Sequence, residues 1–451
     1  MHLRAVALIG AIVLSAALPC GAPTILGFYT PACDTFGNLL PPPGGVAGAV
    51  DQSVEYYARS PLNLPLAHGF PPFVWATFTD GLYIPTSFDI ITMQDAMGLI
   101  GYLKLHARAL AGRGGNATAA LEAAIFLGDY LTSWTLTPAA GAWANISRST
   151  GLNIEWPLIT ASQGDITFGL NCIETDRVAM TGFALLKLFE VVPDARYLTQ
   201  AVRSARVLAA TQVAGNATDA PWPFRVDAVT GAFLNGHKNG ESAFPLRLFR
   251  ALAAAPYSMA EFSAPAERLW AWVRDFQLPT AMPNVSKADA LFVNFFEDRE
   301  TTLDNNRNSW TAMELARLLV EEREALDIDW RAHVEDIFSY ALALFGHASG
   351  VGNATIMGEQ DDDNKPWGGA NSKLAGVASK YACAGGPAWY GALGRLNANH
   401  MAHYTDPADG CRSAEAYLVN AAPTRGGWTE DGWLDVLHNL VDYLDAEDGV
   451  C

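Results

Sequence analysis

Residues 174–213 read ETDRVAMTGFALLKLFEVVPDARYLTQAVRSARVLAATQV. The first half sets Val178, Phe183, Leu185, Leu186 and Phe189 at the spacing of a helix, not at the alternation of a strand. The second half continues in the same manner, and Pro193-Asp194 supplies the break between them. Two long helices joined by so short a turn lie antiparallel, as a hairpin.

The unit recurs along the chain. Hairpins are predicted over 89–112 with 117–134, 174–191 with 195–213, 241–254 with 263–277, 308–325 with 329–346, 371–382 with 387–403 and 412–421 with 430–446. Turns inside them are short, as at Asp327-Ile328-Asp329, whereas the connections between them, at 135–173, 214–240, 278–307 and 347–370, are long. Loops beyond about 15 residues in a compact domain are usually functional or disordered, and these are too aromatic for disorder. Six hairpins can close into a ring, one barrel of helices inside another. The alternative is an open solenoid, which would need polar capping repeats that the chain does not show.

In a ring, the first helix of each hairpin lies inside, where Ala179, Gly182, Ala184, Ala243, Ala312, Ala375, Gly376 and Ala378 suit crowded packing. The long loops and the inner-helix N-termini then share one face, the mouth. The expected fold is all-α, an (α/α)6 toroid. Residues 1–22 are expected to be a signal peptide, 23–86 an irregular N-terminal arm with one short helix near 50–58, and 87–451 the toroid domain.

A formal charge of −18 without a basic stripe makes nucleic acid and anionic membrane surfaces poor partners. The first 22 residues carry Arg4, an apolar run from Ala5 to Leu18 and a small-residue exit, the pattern of a secretory signal. That run falls short of the roughly 20 residues a membrane span needs. Sequons at Asn116, Asn145, Asn216, Asn284 and Asn353 fall in or beside predicted loops, where glycans stay solvated. Together these features predict a secreted glycoprotein. There is no Cys-x-x-Cys pair for a thiolate zinc site. Cys383 and Cys411 bracket the last-but-one outer helix and its following loop, and are expected to form a disulfide. No Gly-rich phosphate loop, Gly-x-Ser-x-Gly elbow or His-Glu-x-x-His helix is present, which disfavours nucleotide cofactors, serine hydrolysis on an α/β sheet and zinc proteolysis.

The hairpin count and the loop asymmetry resemble the six-hairpin, (α/α)6-toroid superfamily of carbohydrate-active enzymes, in architecture and without a diagnostic catalytic string. That resemblance implies a saccharide cleft at the long-loop mouth, used by glycoside hydrolases and polysaccharide lyases. Related toroids host isoprenoid chemistry, so the fold alone does not decide the reaction.

Aromatics crowd the loops. Trp156, Trp222 and Trp367 offer flat faces for sugar rings, or else plug the mouth. Asp176, in Glu174-Thr175-Asp176-Arg177, opens the second inner helix, where it would favour the positive end of the helix or point across the mouth. His237, flanked by glycine-containing turns, is a candidate proton carrier, and Glu241 follows at the next inner helix. Arg225 and Asp227 would share one exposed face of a short strand. Glu297 sits beside Phe295 and Phe296, surroundings that raise a carboxyl pKa. Arg307 is suited to hold hydroxyls or a uronate carboxylate, while Asn308 caps the fourth inner helix or joins it. Asp361 belongs to an acidic run, Glu359 to Asp363, that needs solvent, raised pKa values or a cation. Calcium is the metal such oxygens would take; no other cofactor is expected.

The expected function is cleavage of glycosidic bonds in an oligo- or polysaccharide. A hydrolase would draw two carboxyls from Asp176, Glu241, Glu297 and Asp361. A uronate lyase would hold the carboxylate with Arg225 or Arg307 and Asn239 or Asn308, and move protons with His237 and Tyr381. A non-catalytic glycan-binding toroid, with aromatics but no converging carboxyls, and an isoprenoid enzyme with an apolar cavity stand as competing classes.

Overall fold

The computed structural model describes residues 26, 28–59, 76–79, 82–85, 91–133, 136–148, 156–157, 167–168, 171–293, 305–361, 364, 366–405 and 429–451. The signal segment 1–22, Glu297, Cys411 and the expected helix 412–421 lie outside these residues. The α-helices in chain order are α1 (Gly45–Arg59), α2 (Ile91–Leu110), α3 (Ala117–Ser133), α4 (Thr175–Val191), α5 (Ala195–Thr211) and α6 (Ala243–Ala253). They continue as α7 (Ser263–Trp272), α8 (Ser309–Glu322), α9 (Trp330–Phe345), α10 (Gly368–Cys383), α11 (Ala388–Ala402) and α12 (Thr429–Glu447).

The even-numbered helices pack neighbour to neighbour, and α12 returns to α2, which closes the ring. The odd-numbered helices α3, α5, α7, α9 and α11 each lie against the inner helix that precedes them. The fold is therefore the expected (α/α)6 toroid. Inner helices are buried on nearly all sides, as α8 is from Ser309 to Val320. At the closing seam only glycine permits the approach. A Cβ on Gly376 would stand 2.4 Å from the Asn439 carbonyl oxygen, and one on Gly101 would stand 2.9 Å from Leu437 Cγ.

The sixth unit differs from the expectation. The helix at 430–446 is not an outer one: α12 carries Val436, Leu437, Asn439, Leu440, Val441 and Asp442 all buried, as an inner position requires. Its outer companion is α1, which packs against α11 and α12. A helix of the N-terminal arm thus completes the ring beside α12. Short-range spacing could not reveal a pairing between elements so far apart in sequence.

The long loops do share a face, because each is hydrogen-bonded to the next. Trp143 N–H donates to the Ala228 carbonyl (2.8 Å), Gly240 N–H to Val293 (2.7 Å) and Ser309 N–H to Glu359 (2.8 Å). A three-stranded antiparallel sheet of Cys172–Glu174, Arg225–Asp227 and Phe233–Asn235 ties the first two loops together, with Glu174 opposite Arg225. Among the described residues no helix is long and apolar enough to cross a membrane. Asn116, Asn216, Asn284 and Asn353 are exposed, and Asn145 is half-buried.

Cys383 pairs with Cys451, with Cα atoms 5.5 Å apart, and not with Cys411 as the spacing suggested. The tail after α12 folds back to the end of α10. Cys33 is disulfide-bonded as well. The Cys383–Cys451 bond spans 68 residues, a loop whose closure stabilises by about 4 kcal/mol in the chain-entropy model. Cys451→Ser is expected to lower unfolding stability by that amount, read from denaturant midpoints of the oxidised proteins. An unchanged midpoint would mean the tail is held by packing alone.

Candidate active site

Beneath the loops, the N-termini of α4 and α6 carry a cluster of buried polar groups. Glu174 ends a strand and precedes α4, so the sheet and the helix both aim it inward. Its carboxylate receives Arg225 Nε (2.8 Å) from the adjacent strand and contacts Arg177 one turn on. All three are buried. Asn239 donates to Thr175 Oγ1 (2.7 Å) and accepts from Glu241 N–H (3.1 Å), joining the start of α4 to the start of α6. Glu241 Oε1 accepts from Ala243 N–H (2.9 Å) and Phe244 N–H (3.2 Å), which caps α6. Its Oε2 is buried and has no hydrogen-bond partner among the described residues.

The electrostatics set two carboxyls apart. Burial, with the charge of Glu174 adding and that of Arg177 opposing, pushes Asp176 up to about 7. Burial pushes Glu241 up to about 8, helped by Glu314 and Asp176 and opposed by Lys373. Asp176 is therefore near enough for its charge to act on Glu241.

Below them a column of ionic groups fills the axis of the inner barrel. Lys373 of α10 stands 3.4 Å from the centroid of the Trp310 ring. Glu314 of α8 contacts Arg317 one turn on, and Arg247 of α6 at 3.7 Å. Burial opposes its ionisation, but Arg317, Lys373 and Arg247 outweigh burial and hold it below the usual range. Arg317 also contacts His438 and Asn439 of α12 and reaches Asp442 at 3.1 Å. Burial and Arg317 hold the His438 imidazole neutral, well below its ordinary value. Lower still, Asp442 pairs with Lys104 (2.5 Å) and Lys380 (3.1 Å), and Glu321 with Lys380 (2.8 Å) and Arg247 (3.0 Å).

The sequence candidates fall into three groups. Asp176 and Glu241 are brought together in the buried cluster. Trp367, at the N-cap of α10, is half-buried, with a buried indole N–H that has no hydrogen-bond partner among the described residues. Trp156 lies in a short strand opposite Phe168, with its side chain outside the described set.

Others are engaged elsewhere. Arg225 is not exposed on a strand face but buried against Glu174. Trp222 is a core residue whose indole donates to Leu208 (3.0 Å) and whose ring packs on Phe249, so it offers no stacking face. Arg307 and Asp361 form a two-pronged pair (2.7 and 2.9 Å) that pins the 278–307 loop to the 347–370 loop. Asp362 and Asp363 lie outside the described residues, and among those described no three His, Cys, Asp or Glu side chains converge as a metal site. The His237 side chain is 60% exposed and stacks on Phe233, apart from the buried cluster. Tyr381 donates to Glu335 (2.9 Å) near the C-terminal end of α10, away from the mouth.

Spacing arguments do not single out Lys373, Glu314, Arg317, His438 or Asp442. Their signal is visible in hindsight: ionisable residues three, four or seven apart on helices otherwise small and apolar, as in Glu314, Arg317 and Glu321.

No family model matches the sequence, and no curated protein matches it either. Solved structures share the fold. A D-mannose isomerase superposes with a TM-score of 0.62 at 11% identity, over 92% of this chain and 100% of that one. A cellobiose 2-epimerase from Spirochaeta thermophila DSM 6192 gives 0.55 at 13% identity, over 84% and 91%. A family 76 glycoside hydrolase from a bovine Bacteroides thetaiotaomicron strain gives 0.54 at 14% identity, over 88% and 76%. At these identities the likeness is one of fold.

Proposed function

We propose that the chain is a secreted carbohydrate-active enzyme that hydrolyses a glycosidic bond in an oligo- or polysaccharide, with Glu241 as general acid and Asp176 as base or nucleophile. The observation that carries this reading is the Asp176–Glu241 pair: two buried carboxyls at the starts of neighbouring inner helices that Asn239 ties together, both raised. Glycosidic cleavage needs one carboxyl that keeps its proton while its partner is ionised. In this reading Asp176 is the carboxyl that ionises, and Glu241 delivers the proton through Oε2, which has no hydrogen-bond partner among the described residues. Trp367, at the N-cap of another inner helix, is the stacking surface in this reading.

A second reading is isomerisation or epimerisation of a reducing sugar, in which the same pair moves a proton between carbons. It is favoured by the D-mannose isomerase, whose whole length this chain covers. The uronate lyase reading has less support, because Arg225 and Arg307 are each occupied by a carboxylate and Tyr381 lies away from the mouth. An isoprenoid enzyme would need an apolar cavity where this chain has an ionic column.

Proton NMR of incubations with a saccharide panel tests these alternatives. New reducing-end anomeric signals are expected. Aldose–ketose or epimer exchange without new ends would favour the second reading, and unsaturated uronates the lyase. No change with any saccharide would contradict catalysis on sugars. Secretion is tested separately: expression in eukaryotic cells is expected to place the protein in the medium, cleaved near Ala22 and glycosylated at the exposed sequons.

A further inference from the structure

Opposite the mouth, the short-turn rim is open. Two cavities of 620 Å³ and 360 Å³ share Phe183, Lys187, Arg247 and Glu321 as a common wall. The smaller enters the axis of the inner barrel between α2, α4, α6 and α8 and reaches His438. The larger extends outward past Trp270 of α7 to Leu326. Both fall in the size range of small-molecule sites, about 300–1,000 Å³.

The lining is particular in its charge. In a protein of net charge −18, its cations Lys104, Lys187, Arg247 and Arg250 are matched by Glu190, Glu267, Glu321 and Glu322. Most are already paired: Arg247 with Glu321 at 3.0 Å, Arg250 with Glu322 at 2.7 Å and Lys187 with Glu190 at 2.9 Å. An anionic ligand would have to displace a carboxylate from one of these cations. A purely apolar ligand would strip water from them without replacing its hydrogen bonds, which is costly. A neutral polyol can accept from the guanidinium edges and donate to the carboxylates while leaving every pair intact. The apolar part of the wall mixes aliphatic side chains such as Leu246 and Leu326 with the aromatics Phe183, Phe244 and Trp270. The Arg247 guanidinium lies 5.2 Å from the Phe244 centroid. Apolar and aromatic surface beside paired donors and acceptors matches the two characters of a pyranose, C–H faces and hydroxyl edges.

We infer that this rim cavity is a second binding site, distinct from the mouth, for a neutral mono- or disaccharide. The inference stands on the geometry of the rim and not on the reaction at the mouth.

The test is titration calorimetry on the full chain with D-mannose, cellobiose and D-glucuronate as probes. Ala254, exposed at the end of α6, lines the cavity, so Ala254→Trp would fill it without disturbing the core. Wild type is expected to bind a neutral probe, Ala254→Trp to bind it at least tenfold more weakly with an unchanged melting temperature, and D-glucuronate to bind more weakly than the neutral sugars. Glu241→Gln, a change outside the cavity lining, should retain rim binding. The proposal is overturned if no neutral probe binds, if Ala254→Trp binds as wild type does, or if D-glucuronate binds more tightly than the neutral probes. A mouth that proves inactive on every saccharide leaves this result independent, because calorimetry at the rim does not require turnover.

Discussion

Glu241→Gln is expected to remove activity and, above pH 8, to stabilise the protein. Loss of a general acid typically costs 10²- to 10⁴-fold in rate, and kcat should fall by about that factor. The stability effect follows from linkage. The folded-state pKa of Glu241 is raised from 4.5 to about 8, so between those values the folded chain keeps a proton that the unfolded chain has released. Stability therefore falls as pH rises through that window, and above it the buried charge costs about 5 kcal/mol. Glutamine carries no charge, and its carbonyl can still accept from Ala243 and Phe244 at the start of α6. The melting temperature of the variant should exceed that of wild type at pH 9 and match it at pH 4. A variant with full activity and a lower melting temperature at pH 9 would reduce Glu241 to a helix cap.

Arg317→Met is expected to destabilise more than any other single change in the barrel axis. Arg317 is buried and serves Glu314, His438, Asn439 and Asp442 together. Removing one partner of a buried ionic set leaves uncompensated charge, which costs about 3–5 kcal/mol. Urea unfolding should show the loss at neutral pH. Adding Glu314→Gln should recover part of it, since the charge most dependent on Arg317 is then gone, and the two changes will not be additive. The double variant should also lower the pKa of Glu241, because Glu314 helps to raise it. A loss under 1 kcal/mol for Arg317→Met would show that solvent reaches the column.

Much of the architecture is written locally. A run such as Val178 to Phe189, broken at Pro193-Asp194, shows a hairpin without any partner in view, and the contrast of short and long connections orients the ring. The sixth unit is less legible because α1 and α12 meet only through tertiary packing. The Cys383–Cys451 bond hides for the same reason. Cys411 is nearer in sequence, but proximity in sequence does not set which cysteine the fold brings to the end of α10. At the site, Asp176 and Glu241 are legible because they mark inner-helix N-termini. Trp222, Arg225, Arg307 and Asp361 look equally suitable in sequence, since a loop residue reads alike whether it faces a ligand or an internal partner. Only the structure shows that an indole donates to Leu208, or that Arg225 meets Glu174 across a two-strand register.

The account rests on Asp176 and Glu241 acting as a pair of raised carboxyls, and the pH dependence of kcat/KM tests that most directly. The pair should titrate as a unit with two apparent values, giving a bell whose acidic limb lies at about 7 and whose alkaline limb lies at about 8. A profile that is flat from pH 6 to 9, or a bell centred in the ordinary carboxylate range of about 4 to 5, would contradict it.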